Sequence, residues 1–466
     1  MKGAAMTALG AVLVSAGVLL SAGAGDVSLG GRVVDASSGQ PIANAIVTDG
    51  PREARTDLDG WFRLANARAA TVGVRAYGYL RTDVPARTLA SGPGDIPLTP
   101  FRPKALYLSF YGIGSRQLRT AALDLIEKTE LNALVIDVKG DRGMVAFRSA
   151  VPLAAAGGAQ KIITIPDLQG LVGSLRERGI YTIARIVVFK DPLLAAARPD
   201  LAVHRRDGAI YLDREKLAWV SPYSEAVWDY NIALAEEAAQ AGFDEIQFDY
   251  TRLPDDTGLA FPEPWNQASR EAAITGFLRR ARTRLTPFNV FLAVDVFGYI
   301  CWNLDDTRIG QRLEPLATVV DYVSPMLYPS GFQFGIPGYR NPMQHPYEIV
   351  HLSLERATQR SGLPAVRFRP WLQAFRDYAF GGQAFDADEI AAQIKGADDF
   401  GSHGWMLWNP QNRYSAEGIA PTMTDATPPS ATPTRRGRVA RSGGGGNLPA
   451  SGTNAQEQRA ANVRTP

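Results

Sequence analysis

The chain has 466 residues, of which 45% are hydrophobic and 21% charged. That is room for two or three domains at roughly 100 to 200 residues each, with globular values that exclude a collagen-like or mostly disordered chain. Forty-nine Lys and Arg against 47 Asp and Glu leave +2, too even a balance for a protein held to nucleic acid by a basic surface. The single cysteine, Cys301, excludes an internal disulfide, and its place between Ile300 and Trp302 suits a buried apolar filler. His204, His345, His351 and His403 form neither HxH nor HExxH, which argues against a His-ligated metal. The nucleophile elbow GxSxG, the phosphate loop GxxxxGKS/T and the dinucleotide turn GxGxxG are absent, so no cofactor is expected.

In chain order, residues 1–25 come first. Lys2 precedes an uncharged stretch from Gly3 to Gly25 with an apolar centre, and Ala22-Gly23-Ala24 is a small-residue cleavage pattern. This predicts a signal peptide or, since the stretch is long enough to span a bilayer, an N-terminal membrane anchor. Both place the rest of the chain outside the cytoplasm: secreted, periplasmic or anchored. Residues 26–100 alternate short apolar strands with turns and show no helical period, which predicts a small all-β sandwich. Gly39-Gln40-Pro41-Ile42 and the Thr56-Asp57 to Phe62 turn resemble the carboxypeptidase regulatory-like domain. The resemblance implies an accessory module without chemistry of its own.

Past Pro97, Pro100 and Pro103 the period changes. Strands are predicted at 105–111, 133–139, 181–189, 245–250, 290–297, 319–327, 367–373 and 404–408. Amphipathic helices between them are clearest at 115–128, 165–179, 225–241, 267–285, 347–361 and 386–400. Eight such units over residues 104–420 match a (β/α)8 TIM barrel better than an open doubly wound sheet. Residues 421–466 turn to Thr, Pro, Gly, Ala and six Arg without apolar periodicity, a composition that predicts disorder.

Strand phase sorts the polar residues, because alternate side chains share a face and the apolar face of a barrel strand packs on helices. Ile246 and Phe248 facing out turn Glu245, Gln247 and Asp249 inward. The same count sends Asp137 and Lys139 inward on strand two and Asp295 inward on strand five. Three aspartates thus converge on the carboxyl-end mouth, where these barrels carry their chemistry. Burying three carboxylates requires partners. Lys139 and Arg185 are predicted inward, with Lys190 and Arg252 just beyond strand ends; pairing of Asp137 with Lys139 or Arg185 merely to neutralise the mouth is the structural alternative. Tyr111, Tyr250, Phe297, Trp302, Tyr328, Trp371 and Trp408 fall at or past strand ends, where rings can stack on a sugar face. Gln373, Asn409 and Gln411 add neutral groups suited to hydroxyls.

Six segments carry a resemblance: Val135-Ile136-Asp137-Val138-Lys139, Ile246 to Arg252, Asp295-Val296-Phe297-Gly298, Ser324 to Pro329, Arg369 to Gln373 and Gly404 to Asn409. They look like those of a glycoside hydrolase family of secreted and surface bacterial proteins with a TIM-barrel catalytic domain, over about Ala105 to Tyr414. The resemblance implies hydrolysis of O-glycosidic bonds in a polysaccharide, with cell-wall glycan or exopolysaccharide as the pool. An acid ending strand four followed by one ending strand five is also similar to α-amylase-like barrels. That layout implies Asp249 as nucleophile and Asp295 as general acid. Those barrels use a longer Glu on strand five and a further Asp on strand seven, where this chain has Asp295 and Gln373. Asp137 or a loop acid such as Asp255, Asp256 or Glu263 is then the substitute. Phe297 and Trp302 are expected to shield Asp295, and Arg252 to keep Asp249 ionised. The expected sugar-binding set is Lys139, Arg185, Tyr250, Arg252, Tyr328, Trp371, Gln373, Trp408 and Asn409. Two rivals remain: a barrel that binds glycan without cutting it, and a hydrolase whose Asp137, Asp249 and Asp295 hold Mg²⁺ or Ca²⁺.

Overall fold

Alternating apolar residues near the start of the chain pair into two facing sheets in a computed structural model that describes residues 28–90 and 94–422. The predicted export segment and all but the first two residues of the predicted tail lie outside the described residues. One sheet holds Trp61–Leu64, Leu29–Asp35 and Asp95–Leu98. The other holds Arg52–Arg55, Ile46–Asp49, Thr71–Arg75 and Thr82–Pro85. Val33, Val47, Val72, Val74, Ile96 and Leu98 fill the space between them. The turn into Trp61–Leu64 depends on Asp57, whose Oδ1 accepts the amides of Asp59 and Trp61 at 3.0 and 2.8 Å. Gly60 follows at φ +80°, where an added Cβ would meet Val33 O at 2.5 Å, so glycine is required there.

Eight parallel strands then close into a barrel flanked by helices: Lys104–Leu108, Ala133–Lys139, Tyr181–Val187, Glu245–Asp249, Phe291–Phe297, Tyr322–Met326, Trp371–Gln373 and Trp405–Trp408. The molecule is a TIM barrel preceded by an all-β sandwich. The predicted helices form as Arg116–Lys128, Leu168–Glu177, Glu225–Ala241, Gln267–Leu285, Pro346–Ser361 and Ala387–Phe400. Leu134, Ile136, Ile246, Phe248, Val294 and Val296 join the core between strands and helices. Tyr107, Val135, Ile183, Ala293, Trp371 and Met406 pack together in the lumen.

Several strands are shorter than their apolar runs, and for the first and seventh the chain shows why. The first stops at Leu108 because Ser109 caps a helix, Phe110–Gly114, its side chain accepting from Gly112 N at 3.1 Å. The seventh is reduced to Trp371–Gln373 because Pro370 has no amide to continue the ladder; only a bridge between Val323 and Phe368 precedes it.

The sandwich closes the amino-terminal end of the lumen. Tyr77, Leu80 and Phe101 pack against the lumenal cluster, and Gly78 N donates to Tyr322 Oη at 3.4 Å. Arg75, 2% exposed, donates to Asn289 Oδ1 at 3.2 Å and lies 4.0 Å from Asp321. Chemistry therefore has only the carboxyl end to work from.

Candidate active site

Asp137, Asp249 and Asp295 all meet one guanidinium. Arg185 Nη1 donates to Asp137 Oδ1 at 2.6 Å, and Nε donates to Asp249 Oδ2 at 3.0 Å with Nη2 on the same oxygen. Asp295 Oδ2 stands 3.9 Å from Arg185 Nε and has no hydrogen-bond partner. Both Asp249 Oδ2 and Asp295 Oδ2 lie within 4 Å of the same nitrogen, so they are less than about 7 Å apart. Glycosidase carboxyl pairs span roughly 5 to 9.5 Å. Arg185 in turn lies over the rings of Trp408 at 4.8 Å and Tyr107 at 5.4 Å, and those two rings stack on each other with centroids 3.9 Å apart.

One cation among three carboxylates leaves an excess of negative charge in a dry site. Burial pulls the Arg185 pKa down, but Asp137 and Asp249 more than reverse this and hold it well above its usual value, so the guanidinium stays charged. The excess falls on Asp295. Burial first, and then the neighbouring Asp249 charge, push its carboxyl well above the usual range, against the pull of Arg185 and of Trp371, whose Nε1 donates to Asp295 Oδ1 at 2.7 Å. Burial also raises Asp137, with Arg185 opposing. Asp137 further accepts Tyr107 Oη at 2.7 Å and the amide of Phe110 at 3.3 Å. After Asp249 the chain turns sharply: Tyr250 adopts φ +49°, a conformation costing a bulky residue about 1 kcal/mol.

Several expected site residues lie elsewhere. Lys139 does not reach the lumen. Arg185 pairs with Asp137 but Ile186 pairs with Lys139, a bulge at Val138 that turns Lys139 into the helix layer. There its Nζ meets Asp191 at 2.8 Å, Val187 O at 2.7 Å and Asn231 at 3.1 Å. Arg252 lies over the rings of Trp219 and Tyr250 at 5.2 and 5.4 Å, so Arg185 takes the place expected for it beside Asp249. Trp302 donates to Ser353 Oγ at 2.9 Å in the helix layer, and Phe297 packs against Tyr299; Trp371 lies against Asp295 instead of either. Gln373 is buried and spent, donating to Ser330 Oγ and Phe375 O and accepting from Ser330 N. Asn409 ties Ala374 O to Gln411 N. Tyr328 and Trp408 are half-buried, Tyr328 edge-on to Phe375. Of the loop acids, Asp255 is exposed, Asp256 pairs with Arg205 at 3.4 Å, and Glu263 keeps one buried oxygen without a partner. Among the described residues no group of three or more His, Cys, Asp and Glu is arranged to hold a metal ion; Arg185 stands where such a cation would sit.

Tyr107 was within reach of the sequence, since the phase that turns Leu106 and Leu108 outward turns it inward. The rim was less legible. Each segment following strands one to seven exposes a large apolar side chain: Tyr111, Ile162, Leu212, Trp265, Leu304, Phe334 and, after strand seven, Tyr378 with Phe380. Phe334 is 86% exposed. Tyr111 alone of these was singled out above. Among the described residues the other exposed large apolar side chains are Leu58 and Trp61 of the sandwich, so the ring marks the carboxyl-end face.

Residues 105–414 match the family model described as "Putative glycosyl hydrolase domain". No curated protein matches the chain. Among solved structures, a hypothetical protein from Ruminiclostridium thermocellum ATCC 27405 is 36% identical over 41% of this chain and 97% of its own, with a TM-score of 0.37. The PgaB (BpsB) glycoside hydrolase domain from Bordetella bronchiseptica is 15% identical over 67% of this chain and 95% of its own, with a TM-score of 0.47. Alpha-L-fucosidase isoenzyme 2 from Paenibacillus thiaminolyticus is 16% identical over 68% and 47%, with a TM-score of 0.47.

Proposed function

The chain belongs to the glycosyl hydrolase domain family matched by its residues 105–414, and from that premise we propose that it hydrolyses O-glycosidic bonds of an extracytoplasmic polysaccharide. The observation that carries this reading is the unequal treatment of Asp249 and Asp295. Asp249 shares its oxygen with two nitrogens of a charged guanidinium, which fixes its carboxylate at the mouth for the part of nucleophile. Asp295 is driven toward its protonated form by burial and by the Asp249 charge, as a general acid must be. In the reaction Asp295 gives its proton to the leaving oxygen as Asp249 bonds the anomeric carbon, and water then releases the sugar. Arg185 positions Asp249, Trp371 positions Asp295, and Asp137 pairs with Arg185 from its other side. The ring of exposed apolar residues suits the faces of several successive sugar units. Export through residues 1–25 and a carboxypeptidase regulatory-like sandwich complete the proposal.

A barrel that binds glycan without cutting it has one observation in its favour: Asp137, Asp249 and Asp295 are only 3%, 5% and 1% exposed. New reducing ends released from cell-wall and exopolysaccharide preparations separate the two readings. Turnover that falls at least about a thousandfold in Asp249→Asn, as loss of a covalent nucleophile should give, supports the hydrolase. Binding without turnover in the unsubstituted chain supports the binding barrel, and turnover that survives Asp249→Asn removes Asp249 as nucleophile.

A further inference from the structure

A cleft of about 740 Å³ opens where the sandwich meets the amino-terminal end of the barrel, opposite the aspartates. Its size is within the roughly 300–1,000 Å³ of small-ligand sites. Tyr77 and Tyr79 wall it from the sandwich, Phe101 from the connecting strap, and Asn132, Val366 and His403 from the barrel. The rings are held in place. Phe101 stacks on Tyr181 at 5.5 Å, Tyr77 is edge-on to Tyr322 at 6.0 Å, and Tyr79 Oη donates to Asp35 at 3.0 Å. All three remain half-buried; Arg367 lies over the Tyr77 ring at 4.3 Å, so Tyr79 and Phe101 have the freer surface.

His403 is the unexplained member. It is 2% exposed, stacked on Tyr322 at 4.7 Å, and its buried Nδ1 has no partner. Burial, with Arg369 and Arg102 adding to it, drives its pKa well below the usual value, so the imidazole is neutral and offers one donor and one acceptor. A hydroxyl, which gives and accepts, satisfies either tautomer. Cations in the walls are already matched, Lys104 by Glu130 and Arg102 by Asp398, so the walls favour a neutral ligand. Fixed rings beside a neutral imidazole that lines the cleft and retains hydrogen-bonding capacity suit a sugar better than a charged ligand.

We propose that this cleft is a second saccharide-binding site that takes a short neutral stretch of polymer, remote from the three aspartates. The proposal rests on reading the chain as a polysaccharide hydrolase. Holding the polymer at the base of the barrel raises its effective concentration at the mouth.

The test uses the full chain carrying Asp249→Asn, titrated calorimetrically with neutral oligosaccharides of four to six units: a β-glucan, an α-glucan and a β-linked N-acetylhexosamine series. Two variants address the cleft: Val366→Arg fills it, and His403→Phe keeps the ring while removing its nitrogens. Thermal melts establish that each is folded. The expected result is that both weaken one class of site at least tenfold. In the Asp249 background the same variants lose retention on insoluble glycan without slowing release of reducing ends from a soluble short substrate. Stoichiometry and affinity unchanged in both variants, or no site besides the mouth, overturn the proposal. Cleft binding with no turnover by the unsubstituted chain removes the hydrolase reading and leaves the cleft standing.

Discussion

At the amino-terminal end of the lumen Arg369 is matched by one carboxylate, Glu245, both of whose oxygens lie 2.8 Å from Nη1, whereas at the carboxyl-terminal end Arg185 faces three. Both guanidiniums lie over aromatic rings, Arg369 at 4.5 Å from Tyr322 and Arg185 at 4.8 Å from Trp408. Both are excluded from water. The lower pair is balanced and sealed by the sandwich, with Tyr181 Oη donating to Glu245 at 3.0 Å and Arg369 Nε to His403 O at 3.0 Å. The upper cluster has more acid than its cation can neutralise. Burial raises the Glu245 carboxyl too, with Arg369 opposing it. At Asp295, however, the neighbouring Asp249 charge adds to burial and pushes the carboxyl well above its usual range, and a proton held there can be delivered.

The largest effect that would test this contrast is on stability. Glu245→Gln strands Arg369 without a counter-charge and should cost about 3–5 kcal/mol, read by denaturant unfolding. Asp137→Asn leaves Arg185 its Asp249 partner and should cost about 1.5–3 kcal/mol, the worth of a hydrogen bond to a charged group. Equal losses would mean that the upper cluster is scaffolding as well.

A smaller effect of opposite sign is expected at Asp295. Its folded pKa is raised above the unfolded value, so the stability it contributes is complete below the unfolded pKa and is lost as pH rises through the folded one. Asp295→Asn has no such titration. It should therefore gain on the unsubstituted chain as pH climbs through that window, by about 0.5–2 kcal/mol, the usual range for relieving a strained functional group, while losing activity. A difference that does not change with pH would show that Asp295 carries no displaced proton.

The same contrast explains what the sequence made legible. Regular alternation in Glu245–Asp249 and Phe291–Phe297 was enough to orient Asp249 and Asp295, because Ile246, Phe248, Val294 and Val296 had to face helices. Alternation failed at Lys139, where a one-residue bulge at Val138 exchanged faces and nothing in Val138-Lys139-Gly140 marks it. Gln373 and Asn409 looked free for substrate because neighbours distant in sequence, Ser330 and Ala374, could not be seen to claim them. Trp265, Phe334 and Tyr378 lie on segments without a period, so no phase argument could find them. The eight-strand count survived these local failures because it depends on apolar runs rather than on any one residue.

Trp371→Phe is the most delicate way to sharpen the comparison, because it removes one hydrogen bond and leaves an aromatic ring in the lumen. The indole N–H donated to Asp295 Oδ1 at 2.7 Å favours the ionised carboxyl and works against burial. Removing it should raise the Asp295 pKa further. If Asp295 must be protonated to act, the alkaline limb of the kcat/KM profile reports its pKa in the free enzyme and should move to higher pH. The rate at the optimum should change by no more than about tenfold, the value of a single hydrogen bond of up to 1.5 kcal/mol. A limb that stays where it is assigns the proton to a carboxyl that Trp371 does not touch. Asp137, bonded instead to Tyr107, is then the next acid to substitute.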